Sequence, residues 1–146
     1  YVNGDLVEGK IRTIEVSNLV SAVSQIPEVR TKLVAMQQEM GLRRGVVMDG
    51  RDIGTVVFPD AELKSYMTAD AMVRAERRYK ELIEKGQTVD FNDVLEDMKL
   101  RDYNDSHRAI APLKQADDAV LADTTNLNFE ESLQLLIKIA KEGISA

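Results

Sequence analysis

Three features of the sequence predict an α/β fold with a parallel sheet flanked by helices. Short apolar runs at 46–48, 63–68 and 119–122 alternate with longer stretches in which apolar residues recur at every third or fourth position. The runs at 46–48 and 119–122 each lead straight into a polar loop, the place where open parallel sheets gather ligands at the carboxyl ends of their strands. A chain of 146 residues that is 44% hydrophobic is also long enough for one domain burying roughly 68–70% of its unfolded surface.

Taken in order, Asn3-Gly4 is a turn signal, and with Val2 before it and Leu6-Val7 after it the start reads as a hairpin or strand end, extended as loop by Glu8-Gly9. Tyr1 to Asp5 resembles the middle of a strand-turn, which suggests a start inside a longer protein. A helix is expected from Arg12, with Thr13 as N-cap and Ile14, Val16, Leu19, Val20, Val23 and Ile26 on its apolar side, ending before Pro27. Pro27 suits the first turn of a second helix carrying Val29, Leu33, Val34 and Met36, and Gly41 suits its stop.

The unbroken apolar character of 46–48 predicts a buried parallel strand, interrupted by Gly50 and Gly54. Phe58-Pro59-Asp60-Ala61 is a turn, and Leu63, Tyr66 and Met67 make a second strand ending near Thr68. Thr68-Ala69-Asp70 offers caps for a helix over 71–85 that Gly86 stops, and Asp90 or Asn92 caps another over 93–107, before Pro112. A third buried strand at 119–122 runs into the polar loop 123–126. Leu133, Leu136, Ile137 and Ile139 then mark a last amphipathic helix ended by Gly143. Three short strands make a small sheet, in keeping with a missing N-terminal portion.

Composition excludes several functions. A net charge of −6 gives no general attraction to nucleic acid or an anionic membrane, so any phosphate must meet local arginine clusters. With no Cys, neither disulfides nor thiolate zinc sites exist, and no apolar run approaches the roughly 20 residues of a membrane span. No signal peptide is evident, and a cytoplasmic location is expected. The core must rest on aliphatic residues, since aromatics are 5% and Trp is absent.

Chemistry concentrates in Asp49-Gly50-Arg51-Asp52. Asp49, at the carboxyl end of the expected first strand, is an acid placed to hold Mg²⁺ through water. Arg51 offers a planar fork to a phosphate, and Asp52 an acceptor for an amine or another Arg. On its own the run reads equally well as a turn with a structural ion pair. Arg101, Asp105 and Arg108 share one helical face, where the acid can hold two guanidinium groups side by side for a phosphate; a solvated charge ladder is the plainer alternative. Arg74, Arg77 and Arg78 share a side without an interleaved acid, which calls for an anion or solvent exposure. His107 has no Ser or Asp pairing and reads as surface, and Ser21 and Arg30 read as exposed polar residues.

Together these residues resemble the bacterial cytidylate (CMP) kinases, nucleoside monophosphate kinases of the P-loop class. The resemblance rests on Gly9-Lys10-Ile11-Arg12-Thr13 with Glu15-Val16, on Asp49-Gly50-Arg51-Asp52 with the stretch Gly54 to Ala61, on Arg101-Asp102 with Asp105, Arg108-Ala109 and Ala111-Pro112-Leu113, and on Ala116-Asp117 with Asp123-Thr124-Thr125. It implies a partial P-loop monophosphate-kinase fold in which 1–44 is the CMP-binding insert, 45–86 and 115–146 the core, and 87–114 the lid. It further implies that Ser21, Arg30 and Asp52 read cytosine and that Arg51 holds the CMP phosphate. Arg101 and Arg108 would neutralise the transferring phosphates, Asp105 would reach the sugar, Arg77 and Arg78 would meet the donor nucleotide, and Asp49 would serve Mg²⁺. CMP or dCMP and ATP are the implied partners, with no nucleic acid or membrane. The intact protein would be a monomer, and self-association or a strand swap is open to the shorter chain.

One departure from the pattern stands out. No Gly-x-x-x-x-Gly-Lys-[Ser/Thr] loop occurs in these residues, so the cradle for ATP and the strand leading into it are expected outside them, and this chain alone is expected to be inactive. Two other readings remain open at this point: a non-catalytic nucleotide-binding or assembly module, and a kinase for another monophosphate such as UMP.

Overall fold

Two parallel strands, β1 (Ser65–Thr68) and β2 (Val120–Asp123), pair in register from Ser65 opposite Val120 to Thr68 opposite Asp123. This computed structural model describes residues 1–11 and 13–144, with backbone alone at 14, 17, 18, 21 and 144. Parallel strands need a long crossover, and here it is a helical hairpin, α4 (Ala71–Glu84) and α5 (Phe91–His107). Before β1 come α1 (Glu8–Ile11), α2 (Ile14–Val23), α3 (Pro27–Gly41) and a π-helical turn at Ile53–Val57; after β2 comes α6 (Phe129–Ile144).

Local chemistry sets the helix starts. The Thr13 hydroxyl accepts from the Val16 N–H at 3.2 Å, as the N-cap expectation required, and Pro27 occupies the first turn of α3. Asp70 accepts from Met72 N–H at 2.8 Å to begin α4, and Asp90 rather than Asn92 caps α5, accepting from Asn92 N–H at 2.7 Å. At the start of α6 the caps are reciprocal: Asn128 Oδ1 accepts from Glu131 N–H and Glu131 Oε2 from Asn128 N–H, at 2.9 and 2.8 Å. Asn3 and Gly4 both have positive φ, 50° and 91°, making the primed turn that closes the expected hairpin between Val2 and Asp5.

The stretch 46–48 departs from expectation. It forms no strand, and Val47 is fully exposed. Among the described residues no strand lies beside it, and an extended segment without a ladder gains no hydrogen bonds to bury its apolar side chains against. β2 is also less buried than its composition suggested: Ala122 is fully enclosed, whereas Val120 and Leu121 stay about half exposed. Glu8 and Gly9, read as loop, open α1, and the loop after Gly50 contains the π-helical turn, where Val56 and Val57 donate to the Asp52 carbonyl at 2.9 and 3.2 Å.

The carboxyl end of the sheet is tied together by Thr124, whose N–H and hydroxyl both donate to the Thr68 carbonyl at 2.8 and 3.0 Å. Arg77 donates to the Thr124 and Leu127 carbonyls at 2.6 and 2.9 Å. Arg78 pairs with Glu81 and Arg74 with Asp102, so the three arginines expected to need an anion or solvent find acceptors within the chain. The buried aliphatic residues Val57, Ala75, Leu82, Leu95, Ala122 and Ile139 spread over the π-turn, α4, α5, β2 and α6. No helix among the described residues is long and apolar enough to cross a membrane.

Candidate functional site

Four arginines and two aspartates from three parts of the chain converge where α3, the loop before the π-turn and the end of α5 meet. Asp52 is 8% exposed, and its carbonyl is fixed by the N–H groups that open the π-turn. Its carboxylate accepts from Arg30 Nη2 on α3 and lies 3.8 Å from Arg108 Nη2. Asp105, 5% exposed on α5, accepts from Arg51 Nε at 2.8 Å, with Arg101 Nε and Arg108 Nη1 each 3.9 Å away. The shared face read from 101, 105 and 108 is therefore real, and its acid holds a third guanidinium from across the chain.

Arg108 sits just past α5, where its N–H bonds the Asn104 carbonyl and its Nε donates to the Ala111 carbonyl at 2.7 Å. Ala111, at φ 49°, turns the backbone to offer that carbonyl. Burial pushes the Arg108 guanidinium below its usual range, helped by neighbouring Arg30 and opposed by Asp52 and Asp105. The ion is held by its two acids but not saturated by them.

Three buried nitrogens, Arg30 Nε, Arg101 Nε and Arg108 Nη2, have no hydrogen-bond partner among the described residues. Leaving a buried donor unmet costs about 1–3 kcal/mol, more for a charged group, so these N–H groups are competent to receive acceptor oxygens or ring nitrogens from a ligand. Their residues line a cavity of about 280 Å³ together with the apolar Val20 of α2 and Leu33, Val34, Met36 and Met40 of α3. Cationic forks and aliphatic side chains lining one cavity suit a ligand with an anionic group and a flat, weakly polar body. Four arginines against two aspartates give the cluster two net positive charges.

The remaining expected site residues lie elsewhere. Asp49 is exposed, and its carboxylate makes no hydrogen bond or ion pair among the described residues. A single free carboxylate fits a cation that keeps several waters and takes its other ligands from nucleotide phosphates, as Mg²⁺ does; no group of three or more metal-binding side chains occurs among the described residues. Ser21 is on α2, and its side chain lies outside the described residues. Arg77 and Arg78 belong to the α4 side, engaged as described above. His107 is exposed and stacks on Tyr103 with ring centroids 4.0 Å apart, a surface pairing. The Arg51 link to Asp105 carried no sequence signal, because 54 residues separate the two.

A family model described as cytidylate kinase matches residues 1–142. A cytidylate kinase of Flavobacterium johnsoniae is 54% identical over 144 residues, which cover 99% of this chain and 63% of that protein. One from Bacteroides fragilis is 53% identical over 146 residues, 100% of this chain and 64% of its own length, and one from Streptococcus pneumoniae is 56% identical over 124 residues, 85% and 56% respectively. The chain thus spans a little under two thirds of the length of these relatives. With a kinase family model matching nearly end to end, the chain belongs to the cytidylate kinase family.

Proposed function

We propose that these residues supply the acceptor-nucleotide site and lid of an enzyme that moves the γ-phosphate of MgATP to CMP or dCMP, giving CDP or dCDP. The observation that carries the proposal is the buried cluster of Arg30, Arg51, Arg101 and Arg108 around Asp52 and Asp105, with three unmet N–H donors on a cavity with an apolar wall. Its two net positive charges complement a monophosphate, which carries about −1.5 to −2 at neutral pH.

In this reading the nucleobase lies along the aliphatic wall of α2 and α3, with Asp52 accepting from the cytosine amine and Arg30 and Ser21 completing its polar edge. Arg51 holds the acceptor phosphate, and Asp105 orients Arg51 while reaching the sugar. An oxygen of the acceptor phosphate then forms a bond to the γ-phosphorus as the bond to the β–γ bridging oxygen of ATP breaks, and ADP leaves with that oxygen. Arg101 and Arg108 donate to the oxygens on which charge is redistributed, and positioning with charge neutralisation does most of the work in such transfers. Mg²⁺ carried with ATP and met by Asp49 would supply further neutralisation of the donor phosphates. Arg77 and Arg78 are assigned to the donor side.

The cradle for the ATP phosphates is assigned to a part of the whole protein outside these 146 residues. Accordingly 1–44 act as the acceptor-binding insert, 87–114 as the lid and the remainder as core, in a cytoplasmic monomer. Initial rates of the whole protein with MgATP and CMP, dCMP, UMP or AMP test the proposal. CMP and dCMP should turn over at least tenfold more efficiently than the others; equal or better turnover of UMP would assign the site to a different monophosphate. CMP binding that never yields CDP in the whole protein would favour a non-catalytic module.

A further inference from the structure

Asp102 stands beside Arg101, yet it points away from the cluster. At about 100° per residue, Arg101 and Asp105 fall within one narrow face of α5, and Arg108, the C-cap, continues it at the helix end. Asp102 falls on a flank with Phe91 and Leu95, where α5 meets α4. Phe91 packs edge-on to Tyr79 at the hairpin end of that flank, with ring centroids 5.8 Å apart, and Leu95 is buried. At the site end Asp102 takes Arg74 in a two-point pair: Nη1 donates to Oδ1 at 3.1 Å and Nη2 to Oδ2 at 2.6 Å.

Arg74 uses a third donor as well. Its Nε donates at 2.9 Å to the carbonyl of Ala69, the residue that follows β1 and is itself buried. One guanidinium rooted on α4 therefore joins the end of β1 to the last turns of α5. The Asp102 carboxylate holds Arg74 above its usual arginine range, consistent with a pair formed at close range. Two side chains roughly a third exposed would ordinarily count as a surface pair of little consequence. Here the fork geometry fixes direction, and the Ala69 bond fixes the fork.

We propose that Arg74 and Asp102 are positioning residues that set the rotation of α5 about its axis and so aim Arg101, Asp105 and Arg108 at the reacting phosphates. A charged head on α5 lies about 6 Å from the helix axis. A turn of about 20° would move it about 2 Å, enough to break every hydrogen bond it makes, and misplacement of that order costs about 100-fold in rate. Because Arg30, Asp52 and the aliphatic wall belong to other elements, acceptor binding should suffer much less than turnover. The inference rests on the acceptor-site reading proposed above.

The experiment compares the whole wild-type protein with Arg74→Lys, which keeps the charge but loses the fork, with Asp102→Asn, and with the double variant. Each single variant should lower kcat for CMP phosphorylation 10- to 100-fold while KM for CMP changes less than threefold. The double variant should be no worse than the poorer single, and Asp102→Glu should regain part of the rate. A kcat within twofold of wild type in both singles, multiplicative losses in the double, or a fall explained by an equal rise in KM would overturn the proposal. Hydrogen exchange without substrate separates it from the functional reading. Faster exchange of the amides at 101–108 in Arg74→Lys, with α6 unchanged, supports the positioning role even if CMP proves not to be the acceptor, and unchanged exchange there refutes it.

Discussion

Asp105→Ala is the substitution on which the two roles of the carboxylates part. The side chain is nearly enclosed, accepts from Arg51 Nε at 2.8 Å, and lies 3.9 Å from both Arg101 and Arg108. Its loss removes one charge-assisted hydrogen bond, about 1.5–3 kcal/mol, and frees three guanidinium groups to repel one another. It also raises the net charge of the cluster by one. At a separation of about 6 Å and an effective dielectric constant near 20, that charge would attract each unit of phosphate charge by about 3 kcal/mol. Attraction and lost order therefore oppose each other in binding but not in turnover, where the donors must sit where charge develops. The expected result in the whole protein is a KM for CMP within about fivefold of wild type and a kcat lower by about 10- to 150-fold. Asp105→Asn, which keeps an oxygen for Arg51, should fall between. Steady-state rates with CMP varied at saturating ATP decide the matter. An unchanged kcat with a KM raised more than tenfold would refute the reasoning, because Asp105 would then act only in ground-state binding.

Other perturbations report on specificity and on the frame that holds the site. Asp52→Asn should reduce the preference for CMP over UMP by about 10- to 150-fold, read by competition between the two, because the carboxylate that accepts from an amine is replaced by an amide that can also donate. The same change keeps an oxygen for Arg30, whose side chain is 11% exposed, but removes the opposing charge, and should lower stability by about 1.5–3 kcal/mol in urea titrations. Thr124→Val removes the hydroxyl that donates to Thr68 and accepts from Arg77 Nη1 at 3.2 Å while keeping its shape, for a loss of about 1–3 kcal/mol by the same measurement. The Asp123 carboxyl is held below its usual range by the hydroxyl and N–H of Thr125. Its contribution to stability is therefore present above the ordinary value of about 4 and is lost as pH falls through the lowered one. Between pH 5 and 3, thermal midpoints should fall more steeply for wild type than for Asp123→Asn; parallel curves would show that the bond contributes nothing.

What the sequence made legible was local. Caps act over three or four residues, so Thr13, Asp70 and Asp90 announced α2, α4 and α5, and the spacing of 101, 105 and 108 announced a shared helical face. The failure at 46–48 is of the opposite kind. An apolar run becomes a strand only if another strand lies beside it, and that neighbour is not encoded in the run. The same limit hid the best-built contacts of the site. Arg51 reaches Asp105 over 54 residues and Arg74 reaches Asp102 over 28, distances at which no periodicity operates. Arg77 shows a different limit: it donates to the backbone carbonyls of Thr124 and Leu127, which carry no side-chain signature.

The distribution of charge ties the stability of the site to its ligand. The chain carries −6 overall, yet this buried ionic cluster is positive, and among the described residues its two carboxylates each hydrogen-bond one guanidinium, Arg30 and Arg51. Arg108, 5% exposed at its side chain, is left 3.8 and 3.9 Å from Asp52 and Asp105, beyond hydrogen-bond reach of either. Two more carboxylates would saturate the cluster and make it a structural salt-bridge core, but would remove the donors that a phosphate requires. In the proposed reading a dianion would complete the neutralisation instead, meeting the N–H groups of Arg101 and Arg108 that have no partner among the described residues. It follows that the acceptor should stabilise the whole protein, by about 2.7 kcal/mol at one hundred times its dissociation constant. Protection from hydrogen exchange should rise most at α3 and the end of α5, the elements whose cations it bridges. If Arg30 meets the base, as proposed, inorganic phosphate should reproduce the effect at α5 more than at α3.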